Sequence, residues 1–284
     1  MAAAPKEPEQ NGDAPHARIV VGLDTSLVTR DALALAARLA ASVDARLKGI
    51  FVEDENLLNL ADLPFAREIS FSGEIRELDA ERMLRAMKAQ AESARRMLAR
   101  IAAEAHIDWS FDVRRGRPLA ALAEHAVEDD TLVIRSAGSG SREVGRTVRA
   151  ATREARADVL LVARGAGVKS ALVPPAPLMR GTLQSPLPGR PVAAIDDGSS
   201  PGEACSAFAE TLAARIGAPF KRLGARGMAP ADLAAIARQG GVGILVVDAA
   251  WLGNDDDAAR LSAAAGCPVL LLGKERGPIE GPQK

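Results

Sequence analysis

The sequence contains no tyrosine, two tryptophans and six phenylalanines, so aromatic residues make up only 3% of the chain. Alanine dominates the 48% apolar share, which points to helix-rich cores with little aromatic filling. Cysteine is equally scarce. Cys205 and Cys267 both sit in apolar segments without CxxC spacing, which argues against a disulfide framework or thiolate metal site and for two small buried hydrophobes in a reducing compartment. None of His16, His106 and His125 has a second His or a Cys at i+3 or i+4.

Charge of one sign is missing too. The 36 Lys and Arg residues meet 37 Asp and Glu, so there is no global basic field of the kind that collects nucleic acid. No stretch approaches the roughly 18 uninterrupted apolar residues of a membrane helix. The opening MAAAPKEPEQNGDAPHAR has no apolar core of a secretion signal. A soluble, cytoplasmic protein is expected, with a disordered leader over 1–17 and neither nucleic-acid nor membrane partners. Catalytic constellations are absent as well: Ser139 and Ser141 have no base in their own loop. The Glu53–Glu55 carboxylates read as the polar end of a strand before they read as a metal site.

What the chain does have is ordered alternation. ARIVVGLD ends at Asp24 and is followed by Leu35, Leu39 and Val43 at helical spacing, which gives strand, turn, helix. RLKGIFVED (46–54) is a second strand. A long helix is expected from near Gly73, because Ala80, Leu84, Met87, Ala91, Ala94, Leu98, Ile101 and Ala105 recur at alternating four and three. The small alanines of that stripe suit packing on a sheet better than a coiled coil. IDWSFDVR (107–114) reads as a strand, PLAALAEHAVE as a helix and TLVIRS as a buried strand. The loop RSAGSGSREVGRT (135–147) follows, then a helix opening at Gly145, then the strand VLLVARG. This order implies a parallel sheet with right-handed crossovers.

Residues 166–190 carry Pro174, Pro175, Pro177, Pro186 and Pro188 without any periodic pattern, the composition of a linker. Beyond it the beginning returns. RPVAAIDDGSSPGEACSAFAETLAARIGAP lies on ARIVVGLDTSLVTRDALALAARLAASVDA with Asp197 on Asp24 and Ser199 on Ser26, and VGILVVDA and CPVLLLGK repeat TLVIRSA and DVLLVARG. The second copy, 191–274, lacks the long helix and third strand; a tail of 275–284 follows. Asp197 is expected to cap the helix starting near Pro201.

A strand ending at Asp24 before Thr25-Ser26, a second ending in Val52-Glu53-Asp54, and a last apolar strand led in by a glycine-bearing helix resemble the universal stress protein family. Two copies resemble its tandem form. The resemblance covers nearly all of 18–165 and, more weakly, 191–274. It implies two Rossmann-like domains with parallel sheets flanked by helices, the second trimmed, and a role in stress adaptation through partner or weak nucleotide binding rather than catalysis. Many members hold ATP through a Gly-x-x-Gly…Gly-(Ser/Thr) loop after the fourth strand. Carried onto this sequence, nucleotide contacts (ATP or AMP) fall on Asp24, Val52, Gly138, Ser139, Gly145 and Thr147. Arg142, Arg146 and Arg149 would give a positive rim.

The loop departs from that pattern: Arg135 stands in the first glycine's place, Arg146 in that of the hydroxyl, and the span from Gly138 to Gly145 is short. Two readings stay open, a solvated turn and an ATP-binding, even slowly hydrolysing, site. In the second copy Asp255, Asp256 and Asp257 open the matching helix; they complement its dipole and repel phosphate. Trp251 reads as a plug over the vacated crevice. VLLVAR and PVLLLG should meet at the centre, since bare apolar edges aggregate, so that one chain imitates a dimer. An unidentified protein partner and a further homodimer complete the expectations.

Overall fold

The computed structural model describes residues 17–23, 27–61, 63, 65–69, 73–136, 142–163 and 190–274. In the first half β1 (Arg18–Leu23), α1 (Leu27–Val43), β2 (Arg46–Asp54) and α2 (Glu55–Ala61) precede a hairpin of β3 (Arg67–Ile69) and β4 (Ile75–Glu77). Then come α3 (Ala80–Ala105), β5 (Trp109–Gly116), α4 (Pro118–Glu124), β6 (Thr131–Ser136), α5 (Arg142–Arg149) running into a π turn (Ala150–Glu154), and β7 (Asp158–Ala163). The second half contains β8 (Val192–Asp196), α6 (Ser200–Ile216), β9 (Phe220–Gly224), α7 (Pro230–Gln239), β10 (Ile244–Asp248), a 3₁₀ turn (Ala249–Trp251), α8 (Asp255–Ala265) and β11 (Val269–Leu272).

The strands form one nine-stranded sheet in the order β5-β2-β1-β6-β7-β11-β10-β8-β9. Every pairing is parallel except the junction of the halves, where β7 and β11 run antiparallel with Leu160 opposite Leu270. The two final strands therefore do meet at the centre. Both are buried along their whole length, as expected of central strands covered on both faces.

The period-2 alternation of the strands divides the core. Ile19, Val21, Leu160, Val162, Val246 and Leu270 pack on one face with α1, α3 and α6, whereas Val20, Val159, Leu161, Leu245 and Leu271 pack on the other with α4, α5, α7 and α8. Fold class is thus α/β, a large mostly parallel sheet between helical layers. No described helix is long and apolar enough to cross a membrane.

Three local boundaries differ from the sequence reading. The long helix starts at Ala80, not near Gly73, because Gly73 takes a positive φ of 81°, β4 pairs with β3 instead, and the Asp79 side chain caps α3 by accepting the Glu81 N–H at 2.9 Å. Helix α5 starts at Arg142, which places Gly145 inside it. The strand expected over 107–114 lies two residues further on, at Trp109–Gly116.

Two polar clamps lock the frame at the end of the sheet where β1 and β6 begin. Arg18 donates to both carboxylate oxygens of buried Asp130 at 2.8 and 2.7 Å, and that hydrogen bonding raises the Arg18 pKa further. Across the junction, Gly273 N–H donates to Asp158 at 2.9 Å, and Lys274 reaches Asp129 at 2.7 Å and Glu128 at 3.1 Å. A Cβ on Gly273 would stand 2.1 Å from the Ala157 carbonyl oxygen, so only glycine fits that approach.

Candidate functional site

Strand β1 lies between β2 and β6, so the chain winds in opposite directions on either side of the β1–β6 line. In an open α/β sheet the crevice outside the carboxyl ends of such strands is where ligands gather. Strands β1 and β6 end at Leu23 and Ser136 on this side of the sheet. Asp24, Gly138 and Ser139 follow them in the sequence and lie outside the described residues. Val52 is half-buried one residue beyond Phe51, which pairs with Leu23, and it packs on the face that carries α4 and α5.

Gly145 and Thr147 are both buried in α5. The Thr147 hydroxyl donates to the Glu143 carbonyl at 2.9 Å, one turn back. Gly145 lines a shallow groove between α5 and the second half, together with Arg149, Gly253 and Asn254.

The carboxylates at the end of β2 are spoken for. Arg115 donates to the nearly buried Glu53 at 3.0 and 3.2 Å, Asp54 accepts the Asn56 N–H at 2.9 Å to start α2, and Glu55 lies 3.8 Å from Arg117. Among the described residues no group of three His, Cys, Asp or Glu can hold a metal. The Glu53–Arg115 pair has no sequence signal, since its partners come from strands 62 positions apart.

The equivalent crevice of the second half lies between β8 and β10, and it is closed by its own side chains. Asp196 accepts the Gly198 N–H at 2.8 Å, while Asp197 accepts the N–H of Ser199 at 2.9 Å and also its hydroxyl. Those two Ser199 contacts, the hydroxyl first, hold the Asp197 carboxyl below its ordinary value. Ser199, not Asp197, is the N-cap of α6, its oxygen accepting the Gly202 N–H at 3.2 Å. Asp197 orients the capping residue, and a Cβ on Gly202 would sit 2.6 Å from its oxygen. The signal for Ser199 was its place two residues before Pro201 in the first turn.

At the other wall of this crevice Asp248 accepts the Ala250 N–H at 2.9 Å. Helix α8 opens on a capping box of Asn254 and Asp257, with Asp255 and Asp256 beside them. The capping box satisfies the Asn254 and Asp257 N–H groups within the chain, and acids in the first turn of a helix oppose the approach of an anion. Trp251 is half-buried against this face of the core.

No family model and no curated protein matches the chain. Among solved structures, it is similar to a universal stress protein from Archaeoglobus fulgidus, with a TM-score of 0.58 at 13% identity over 93% of this chain and 97% of that one. A universal stress family protein from Burkholderia pseudomallei matches at 22% identity and a TM-score of 0.33, over 53% of this chain and 98% of that one. A universal stress protein solved in complex with cAMP matches at 21% identity and a TM-score of 0.31, also over 53% of this chain. The full-length likeness shows that this chain has the fold of universal stress proteins.

Proposed function

We propose that the chain is a tandem universal stress protein, with units 18–165 and 191–274 joined by the linker 166–190, that acts without catalysis in stress adaptation by binding a protein partner. It keeps one weak nucleotide site, for ATP or AMP, at the β1–β6 crevice. Asp24, Val52, Gly138 and Ser139 make the contacts, and Gly145 and Thr147 build the helix behind them.

The observation that carries this reading is the difference between the two crevices. In the second half the N-terminus of α8 is occupied by the Asn254–Asp257 capping box and lined with aspartates. In the first half the corresponding helix, α5, has a single acid in its first turn, Glu143, and follows a run of small residues flanked in sequence by Arg135 and Arg142. Glycine-rich backbone at a helix N-terminus holds anions. The arginines at the places of a glycine and a hydroxyl remove donors, and each missing hydrogen bond to a charged group costs about 1.5–3 kcal/mol. Two such losses bring ATP binding to roughly millimolar.

Calorimetric titration with ATP and AMP tests this, using the parent and a variant carrying both Gly138→Val and Ser139→Val. Roughly millimolar binding by the parent, lost in the variant, is expected, together with a purified protein that releases little nucleotide on denaturation. Stoichiometric nucleotide released from the parent, or tight binding abolished in the variant, would establish the ATP-binding reading instead.

A further inference from the structure

The nine-stranded sheet has two outer strands, β5 and β9. Their edges differ in a way that bears on association. Strand β9 is five residues long, Phe220–Gly224, and carries Lys221 and Arg222 with no acid of its own; Arg222 lies 3.5 Å from Asp196 of β8, and a second copy laid along β9 finds no acid in the strand to pair with Lys221. That is the ordinary guard of an exposed edge. Strand β5 is eight residues long and reads WSFDVRRG.

Which groups β5 turns outward follows from its pairing with β2. The Asp108 carbonyl accepts the Leu47 N–H at 2.9 Å, and parallel register continues with Leu47 opposite Trp109. Backbone groups of Ser110, Asp112 and Arg114 therefore serve β2, and those of Phe111, Val113 and Arg115 point to the free edge. No described strand pairs with that edge. Val113, in its middle, is 47% exposed, which is unusual for a valine facing the helical layer.

From this edge we infer a homodimer: β5 pairs antiparallel with β5 of a second copy, with Val113 on the two-fold axis. In this register the outward backbone groups of Val113 meet those of Val113 in the copy, and Phe111 and Arg115 exchange hydrogen bonds reciprocally. Between them Asp112 stands opposite Arg114 of the copy, twice over by symmetry. The registers two residues away on the outward set centre on Phe111 or Arg115; the second opposes like charges, and the first leaves Val113 off the axis, facing Trp109. Centring on Asp112 or Arg114 opposes each to itself. Charge and exposure together select Val113. Asp112 already bonds Lys48 at 2.9 Å and touches Arg114 of its own chain at 3.4 Å, so its carboxylate has acceptor capacity left for the incoming guanidinium. The result is a continuous sheet through two copies, joined at an edge other than the central β7–β11 junction.

Sedimentation equilibrium of the full chain, with three variants, tests the register. Val113→Pro removes an N–H that β2 does not use, so the fold persists, by circular dichroism, while the dimer weakens by roughly tenfold or more. Asp112→Arg and Arg114→Asp each oppose like charges and are expected to be monomers alone. Mixed, they oppose unlike charges at both contacts and form a heterodimer. A parent that stays monomeric, or a dimer untouched by Val113→Pro, overturns the proposal. If the charge variants fold and their mixture stays monomeric, this register is overturned.

Discussion

Cys205 and Cys267 are each 2% exposed, and burial pushes both thiols up to about 12. The thiolate is the reactive form. The native protein is therefore expected to leave both cysteines unmodified by an aromatic disulfide reagent near neutral pH and to titrate both once denatured; rapid labelling of the native chain would contradict the burial. Ser199 supplies the second expectation at this scale. Loss of its N-cap oxygen in Ser199→Ala should lower stability by about 1 kcal/mol, read by urea denaturation. Asp197 adds a pH dependence with a definite sign. Its folded carboxyl lies below the ordinary 3.8, so the stability it contributes is full above that value and is lost as pH falls through the folded one. Asp197→Asn should flatten the acid limb of a Tm-against-pH profile below about pH 4, and an unchanged limb would show that the Ser199 contacts do not form.

Among the elements, β11 depends on a single missing side chain. Gly273 follows it at a separation where a Cβ would lie 2.1 Å from the Ala157 oxygen. Gly273→Val must push β11 away from β7 and cost the Gly273–Asp158 hydrogen bond, a loss of roughly 2–4 kcal/mol when steric strain and a lost hydrogen bond to a charged group combine. Denaturant midpoints of the two chains measure it. The Arg18–Asp130 clamp ties β1 to the start of β6 with two short bonds and a third from Val127 N–H at 3.0 Å. Helix α3, by contrast, was largely readable: Met87, Ala91, Ala94 and Leu98 of its stripe are buried, while toward its end burial falls on Ala102 rather than on Ile101 and Ala105. Its start was misread, because a hairpin of three-residue strands is too short for any periodicity to announce.

At the scale of the molecule, the halves share one sheet and also pack through α1 against α6 and α5 against α8. They should unfold together. A chain cut at a protease site engineered within 166–190 is expected to elute as one particle under native conditions and to show two fragments only after denaturation. Separation of the fragments in native buffer would mean that the β7–β11 junction does not hold them.

The sequence by itself determined the α/β class, the central strands and the acidic first turn of α8, because period-2 and period-3.6 patterns, apolar runs and a run of aspartates are local signals. The two apolar runs VLLVAR and PVLLLG also pointed to the pairing of β7 with β11. Tertiary structure alone decided what depends on distant partners: that Arg115 neutralises Glu53, that Ser199 caps α6 with Asp197 behind it, that Gly145 is packed inside α5 against the second half, and that β5 is left as an edge with Val113 exposed. Each of these is fixed by which chain segments the sheet order brings within bonding distance, and no window of neighbouring residues contains that order.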